Sequence, residues 1–505
     1  MREIEVFATL GEVAYEPVSQ AGPTEGSDFS YVDIGSVDRE NKVISDAKQL
    51  AHSDAPSRAR QVLHAGDVLV SMTRPNLNAV AQVPASLDGA IGSTGFQVLR
   101  TQWMEPGFLR YLVQSAEFID AMSGVVQGAL YPAVRPADIA KFRFRLPPRA
   151  EQTRIVEKLE ELLGGLDAAV AELKAAQRKL ASLRQSLLKA AVEGALTAPW
   201  RAAHAPTESG AQLLQRILAE RRAHWEARQL AKFAQAGKTP PRGWQAKYPE
   251  PAASDLSDLP ALPQGWVWAN LDALIDEGPQ NGLYLPRERY GSGTPMLRID
   301  DYQIGWHRAR SELNRASASA DECMTYSLHV DDVVINRVNS MTHLGKSLLI
   351  GKELEDALFE SNMMRFRLFE HVRVAFVVLY LGSDIGRARL TADAKWAVNQ
   401  ASINQQDVRA TSIPFPPLEE QTEIVEQLTA ALAAVKEQEA AIEKGLAQAA
   451  AQRRNILKAA FAGQLVAQDP RDEPASALLA RIRAERAAQG AVHKKPRGRQ
   501  AREAA

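Results

Sequence analysis

PPRAEQTRIVEKL, from Pro147 to Leu159, returns as PPLEEQTEIVEQL, from Pro416 to Leu428. The offset still holds at the far end of the element, where LLKAAVEGAL (Leu187 to Leu196) returns as ILKAAFAGQL (Ile456 to Leu465). Solenoid units run ~20–50 residues, so a repeat of this much longer period means two copies of a large module in tandem. The chain reads as two half-sites built on one duplicated helical element.

The first copy carries a heptad seam. Leu159, Leu166, Leu173, Leu180 and Leu187 recur every seven residues, with Ile155, Leu162, Ala169, Ala176, Leu183 and Ala190 at the alternate seam position. The second copy has Leu428, Val435, Ile442, Ala449 and Ile456 on its leading seam, but Gln438, Gly445 and Gln452 among its alternate positions. A large-residue seam facing a small-residue seam suits an antiparallel pair within one chain, with parallel homodimers as the other arrangement open. Each helix follows a Pro-Pro and ends near a glycine, Gly194 or Gly463, with Pro199 and Pro470 beyond as stop signals. At a rise of ~1.5 Å per residue, residues 150 to 193 make a rod roughly 65 Å long. Such a rod is either a dimerisation stalk or a ruler between two recognition modules.

The intervals between the copies echo one another more faintly. ATLGEV (Ala8 to Val13) resembles ANLDAL (Ala269 to Leu274), LHAGDVLV (Leu63 to Val70) resembles LHVDDVVI (Leu328 to Ile335), and Asp138 and Asp407 stand at equal distances before the repeated Pro-Pro. The order is therefore variable, constant, variable, constant. A further basic helix follows each copy: LLQRILAERRA (Leu213 to Ala223) matches LLARIRAERAA (Leu478 to Ala488). It either docks a partner or covers the coil ends. Lys238 to Pro251, KTPPRGWQAKYPEP, reads as an extended linker.

These readings predict a multi-domain α/β (α+β) chain: a first target domain over 1–146, a first helical region over 147–196, a basic helix and Pro-rich linker over 197–261, a second target domain over 262–414, a second helical region over 415–468, and a basic helix with a disordered tail over 469–505. With 505 residues and 45% hydrophobic content the chain can bury several cores. The single cysteine, Cys323, excludes an intramolecular disulfide framework and a Cys-rich zinc site. No apolar run approaches the ~18 residues of a membrane span, and the N-terminus lacks a signal-peptide pattern, so the expected location is the cytoplasm. A net charge of −1 does not itself advertise nucleic-acid binding, although KFRFR (Lys141 to Arg145) and KKPRGR (Lys494 to Arg499) are locally basic.

The chain carries no phosphate-binding Gly-rich loop and no dinucleotide fingerprint. Its histidines lack metal-ligand spacing, His64 and His329 reading as structural strand-end residues, and no nucleophile constellation is present. The chain is expected to be non-catalytic, with no metal.

EQTRIVEKL, EQTEIVEQL, the two KAA-x-x-G-x-L segments and LPQGWVWANL (Leu262 to Leu271) together resemble the specificity subunit of type I restriction-modification systems over nearly the whole chain. The resemblance implies two target-recognition domains alternating with two helical regions that pair antiparallel and set the spacing of a bipartite, asymmetric site in double-stranded DNA. It implies as partners two modification subunits, which carry S-adenosylmethionine and methylate adenine, and two restriction subunits that use ATP and Mg. A specificity subunit of a fused restriction-methylation enzyme outside type I has the same sequence features, and a coiled-coil scaffold that binds protein is the remaining alternative. The first module departs from the pattern, since it opens with REIEVFATL and lacks the tryptophan turn of LPQGWVW.

Base readout needs Arg, Lys, Asn, Gln, Ser or Thr on loops that reach base edges. After GDVLV comes SMTRPNLN, offering Arg74 and Asn76; after DDVVI comes NRVNSMTHLGK, offering Arg337, Asn339 and Lys346. Near each domain's end, VVQGALYPAVR offers Gln127, Tyr131 and Arg135, and KWAVNQASINQ offers Lys395, Asn399, Gln400 and Asn404. Recurrence at matched places singles these out as candidate DNA contacts. Trp396, beside Lys395, fits a core position as well as it fits a base.

Overall fold

A computed structural model of the chain describes residues 5–126, 132–251, 259–303, 306–340, 343–397 and 400–492. The repeated element is a helix of 44 residues in both copies, Arg149–Val192 and Leu418–Phe461. The chain forms two compact units, one of Met1–Ala175 with Ile442–Ala505 and one of Ala176–Ala441. Each unit therefore holds one target domain, the beginning of one long helix and the end of the other.

Within the first unit Asp167 pairs with Arg453, and further along the first long helix Leu173 packs on Gly445, which lies nearer the start of the second. Ascending one helix means descending the other, so the pair is antiparallel. A Cβ on Gly445 would come within 3.2 Å of a Leu173 methyl, which is the large-on-small packing that the two seams imply. Within the second unit Leu188, Ala191 and Val192 share a core with Ile424 and Leu428. Of the two arrangements open to the sequence, the intrachain antiparallel pair is the one formed.

The leading seam is buried at Leu159, Leu180, Leu428, Val435, Ile442 and Ala449, and half-buried at Leu166, Leu173, Leu187 and Ile456. The alternate seam is another matter. Ile155 is buried, but Leu183 is 46% exposed, because two helices alone cover one seam of each and leave the flank to solvent.

The repeated Glu-Gln explains itself at the helix starts. Gln152 is fully buried; its Nε2 donates to the carbonyl of Pro147 at 3.0 Å and its Oε1 accepts from the N–H of Glu105 at 3.0 Å. Gln421 does the same with the carbonyl of Pro416 at 2.9 Å and the N–H of Arg373 at 3.0 Å. Glu105 and Arg373 each precede the first turn of a domain helix, Pro106–Leu112 and Val374–Gly382. A buried amide must satisfy both ends, so the same glutamine welds each long helix to its domain in the same way. The adjacent carboxylates are buried too. Glu151 accepts from Arg145 at 3.0 Å. Glu420 accepts from Thr197 at 2.7 Å, from Nε of Arg201 at 2.9 Å and from the indole of Trp266 at 2.8 Å.

The helices end as their glycines require. Gly194 and Gly463 adopt φ of +73° and +70°, the left-handed conformation of a helix C-terminal cap. A Cβ would collide with the Arg201 guanidinium at Gly194 and with that of Arg145 at Gly463, so each glycine seats the arginine that holds the buried glutamate.

Each target domain hangs on a two-stranded antiparallel pair made by its two ends. In the first, Phe7–Thr9 pairs with Arg143–Arg145; in the second, Val267–Asn270 pairs with Ser412–Phe415. The first domain thus has the strand pair despite lacking the tryptophan turn. It has a mixed sheet of four strands (Lys48–Leu50, Phe29–Val32, Ile91–Ser93, Ala59–Val62) and an antiparallel one of three (Phe96–Leu99, Val68–Ser71, Val80–Gln82). The second domain centres on four antiparallel strands, Ile275–Asn281, Met363–Leu368, Val333–Asn336 and Ser347–Leu349.

The faint echoes are structural matches. Leu10–Val13 and Leu271–Leu274 are single-turn helices at equivalent places. Asp67 and Asp332 are buried, each accepting from the histidine N–H three residues before it at 2.8 Å, and each ion-pairs with an arginine, Arg100 at 2.6 Å or Arg367 at 2.7 Å. His64 and His329 are therefore strand-entry residues.

The helices after the coil, Gly210–Gln235 and Ala475–Val492, bury Leu213 and Ile217, and Leu478, Leu479 and Ile482, in the core of their own unit. One face of each helix thus covers the core of its own unit. Lys238 to Pro251 is not an extended linker along its length. It folds back on Gly210–Gln235, where Trp244 stacks on Trp225 with ring centroids 5.6 Å apart and Tyr248 meets the same ring edge-on at 5.5 Å. The aromatic rings spaced between the prolines supply an apolar contact that a solvated linker would leave in water.

Candidate nucleic-acid interface

In both domains the two loop regions singled out by recurrence come together. In the first, Thr73 bridges Ala133, the N–H of Arg74 donates to Pro132 at 2.8 Å, and the N–H of Val134 donates to Met72 at 2.8 Å. In the second, Val338–Asn339, Gln400–Ser402 and Lys395–Ala397 form a small antiparallel sheet, with the N–H of Ile403 on the carbonyl of Arg337 at 2.9 Å. Each domain thus offers one surface built from the loop after its repeated strand and the segment before its final helix.

Arg74 and Asn76 are exposed on the first of these surfaces, and Lys395 and Gln400 on the second. None of the four side chains has a partner among the described residues. Arg74 holds φ at +48° to enter a short 3-10 turn, Pro75–Leu77. The turn is fixed from behind by Asn78, whose Nδ2 donates to Val113 at 2.8 Å while its own carbonyl accepts from Lys42 at 2.6 Å. Lys42 and Asn78 support the loop without any cue in the sequence that they would. Burial and the neighbouring Arg453 push the Lys42 ammonium down to about 8.

Other candidates are committed to the fold. Arg135 and Asn404 occupy matching helix N-caps, and their backbone N–H groups donate to Asp138 at 3.0 Å and Asp407 at 2.7 Å. This is why the two aspartates recur. Asn404 also spends its side-chain oxygen on the N–H groups of Gln406 and Asp407. The Asn339 oxygen accepts from the N–H of Ser340 at 2.7 Å. Arg337 is half-buried, with Nη1 on the Ser361 carbonyl at 3.2 Å and a buried Nε that has no partner among the described residues. Gln127, Tyr131 and Asn399 lie outside the described residues.

Lys346 is the clear correction. It is 4% exposed, and its ammonium donates to the carbonyls of Ile299 at 2.7 Å and Tyr302 at 2.6 Å while lying 4.5 Å from the Tyr302 ring centre. Burial lowers its pKa. An ammonium held by two carbonyls beneath a ring is a brace for the segment around Tyr302, not a group presented to DNA. Trp396 departs in the other direction, being 73% exposed rather than in the core.

One face of the second unit is unsuited to DNA. A cleft of about 970 Å³ between Gly210–Gln235 and the target domain is lined by five carboxylates, Glu220, Asp276, Asp331, Glu355 and Glu370, against two arginines, Arg367 and Arg373, a net negative lining that disfavours phosphate. Among the described residues no group of three or more His, Cys, Asp or Glu is placed to hold a metal ion, and no helix is long and apolar enough to cross a membrane.

Residues 291–444 match the family model described as the type I restriction modification DNA specificity domain. The chain is 26% identical over 394 residues to the type I restriction enzyme EcoKI specificity subunit of Escherichia coli (strain K12), an alignment covering 76% of this chain and 72% of that protein. It is 26% identical over 399 residues to the StySPI specificity subunit of Salmonella potsdam, covering 77% and 73%. Among solved structures, a chain from work on complex assembly and conformational transition of the type I R-M system superposes with a TM-score of 0.65 at 25% identity, covering 91% of this chain and 98% of that one. The duplicated weld, the antiparallel helices and these likenesses agree: the chain is similar to the specificity subunits of type I restriction-modification systems over most of its length, and residues 291–444 match their DNA specificity domain.

Proposed function

We propose that the chain reads a bipartite, asymmetric DNA site, one half with each target domain, and positions adenine-N6 methyltransferase subunits on it without catalysing the reaction itself. The observation that carries this reading is that matched pairs of loops meet at matched places in both domains, on scaffolds joined to the helices by the same buried glutamine. Equivalent mounting with divergent loops is what two readers of different half-sequences require. S-adenosylmethionine then belongs to two partner modification subunits, and ATP with Mg to two restriction subunits. Arg74, Asn76, Lys395 and Gln400 are the side chains free to meet DNA, and Arg337 and Asn339 support the second surface from behind. If the adenine is flipped from the stack, its pocket lies in the partner.

Phosphate contacts release counterions, so binding of duplex DNA by the chain co-purified with its partners should weaken steeply with salt. For six to ten phosphate contacts the loss between 50 and 200 mM salt is about 10³- to 10⁵-fold. Titration by fluorescence anisotropy measures the slope. Absent or salt-independent binding contradicts the proposal and favours the protein-binding scaffold.

A further inference from the structure

The chain has eight tryptophans, and most are accounted for by packing. Trp266 and Trp268 donate to Glu420 and to the Pro260 carbonyl, Trp225 and Trp244 stack on each other, Trp200 stacks on His204 and Trp103 packs on the core of the first unit. Trp396 and Trp306 are different. They are 73% and 53% exposed, and neither has a ring, cation or hydrogen-bond partner among the described residues.

Both stand on hairpin strands. Trp396 lies on Lys395–Ala397 opposite Ala401, and Trp306 on Trp306–His307 opposite Gln303. The two hairpins share a root. Tyr302, on the strand paired with Trp306–His307, shares its one hydroxyl proton between the Asn336 side-chain oxygen at 3.0 Å and the Lys346 carbonyl at 3.1 Å, while the Lys346 ammonium clamps Ile299 and Tyr302. Asn336 leads through Arg337 directly into Val338–Asn339, the edge of the sheet that carries Trp396. The brace at Lys346 thus ties the strand paired with Trp306–His307 to the strand that leads into the Trp396 sheet. In the first unit the one large aromatic exposed among the described residues is Phe7, at 41%, and its ring is covered by the Arg143 guanidinium at 4.7 Å.

We infer that Trp396 and Trp306 are stacking contacts to DNA, by which the second target domain deforms its half-site. The inference rests on the DNA-reading function proposed above. An indole held off a rigid hairpin presents a π-face that any base can stack on, and an apolar wedge at a base step unstacks and kinks the duplex. Lys395 and Gln400, exposed on the same small sheet, supply phosphate and base-edge contacts beside it. Lys346 is a positioning residue for the Trp306 hairpin.

The test uses the full chain in complex with its partner subunits and target duplexes carrying 2-aminopurine in one half-site or the other. Wild type should raise the emission of probes in the second half-site. Trp396→Ala should abolish the rise and weaken binding about ten- to hundredfold. Trp396→Phe should retain most of both, and Trp306→Ala should diminish both. Both side chains are at the surface, so folding is preserved, and unchanged first-half-site behaviour checks this in the same experiment. Wild-type binding and emission retained by both alanine variants would overturn the inference alone. No binding by wild type would overturn the DNA-reading function, and the inference with it.

Discussion

Exchanging Leu271–Thr411 for the corresponding segment of another specificity subunit changes one half of the methylated sequence and leaves the other half intact. The expectation follows from how the domain is mounted. Its two ends leave side by side through the antiparallel pair of Val267–Asn270 with Ser412–Phe415, in register from Val267 opposite Phe415 to Asn270 opposite Ser412. One further weld, from Gln421 to the N–H of Arg373, goes to backbone and so tolerates a change of side chain in the incoming domain. The core that Leu271, Leu274 and Phe376 share with Leu188, Ile217, Ile424 and Leu428 requires the graft to bring an equivalent apolar face. Sequencing of methylated DNA from cells carrying the hybrid reads the outcome. A hybrid that changes both half-sequences, or neither, would mean that reading is not partitioned between the domains.

Replacing Glu420 with Leu destabilises the second unit by about 3–5 kcal/mol, the range for breaking a buried charge pair on one side. The carboxylate is 1% exposed and receives Thr197, Arg201 and Trp266, all of which would lose their acceptor. Glu420→Gln keeps the volume and part of the acceptor capacity, and should cost less. Glu151→Leu, at the equivalent place, removes the one arginine contact from Arg145 and should cost less than Glu420→Leu. Denaturant unfolding followed by tryptophan fluorescence, with Trp266 as a nearby reporter, measures the order. Equal losses at the two sites, or a loss under about 1 kcal/mol at Glu420, would contradict the structural role assigned to the repeated Glu-Gln.

The sequence made the scaffold legible and the reading surface only partly so, for a physical reason. Glu151, Gln152, Glu420 and Gln421 recur because buried polar groups admit few solutions, so the same welds demand the same residues twice. Asp67 and Asp332 recur for the same reason at the strand entries, whereas the recurrence of Asp138 and Asp407 reflects their place in matching helix N-caps. Heptad spacing found the leading seam. It could not show that the second flank would lack a partner helix, which is why Leu183 stands exposed. Loop residues obey no such periodicity. Lys346 and Lys395 look equivalent in sequence, yet one ammonium is enclosed by carbonyls and the other faces solvent. Arg135 and Asn404 were chosen because they recur at matched places, and what recurs is their helix-capping position. Trp396 illustrates the opposite case: its sequence neighbours cannot say whether an indole faces core or solvent, and its hairpin register settles it.

The central claim, that this chain confers a bipartite methylation specificity, is tested most directly by single-molecule methylation mapping of the source genome with and without the gene. The account predicts an interrupted N6-methyladenine motif of two unlike halves that disappears on deletion and returns on complementation. A methylation pattern indifferent to the gene in cells that express it with its partner subunits would contradict the account.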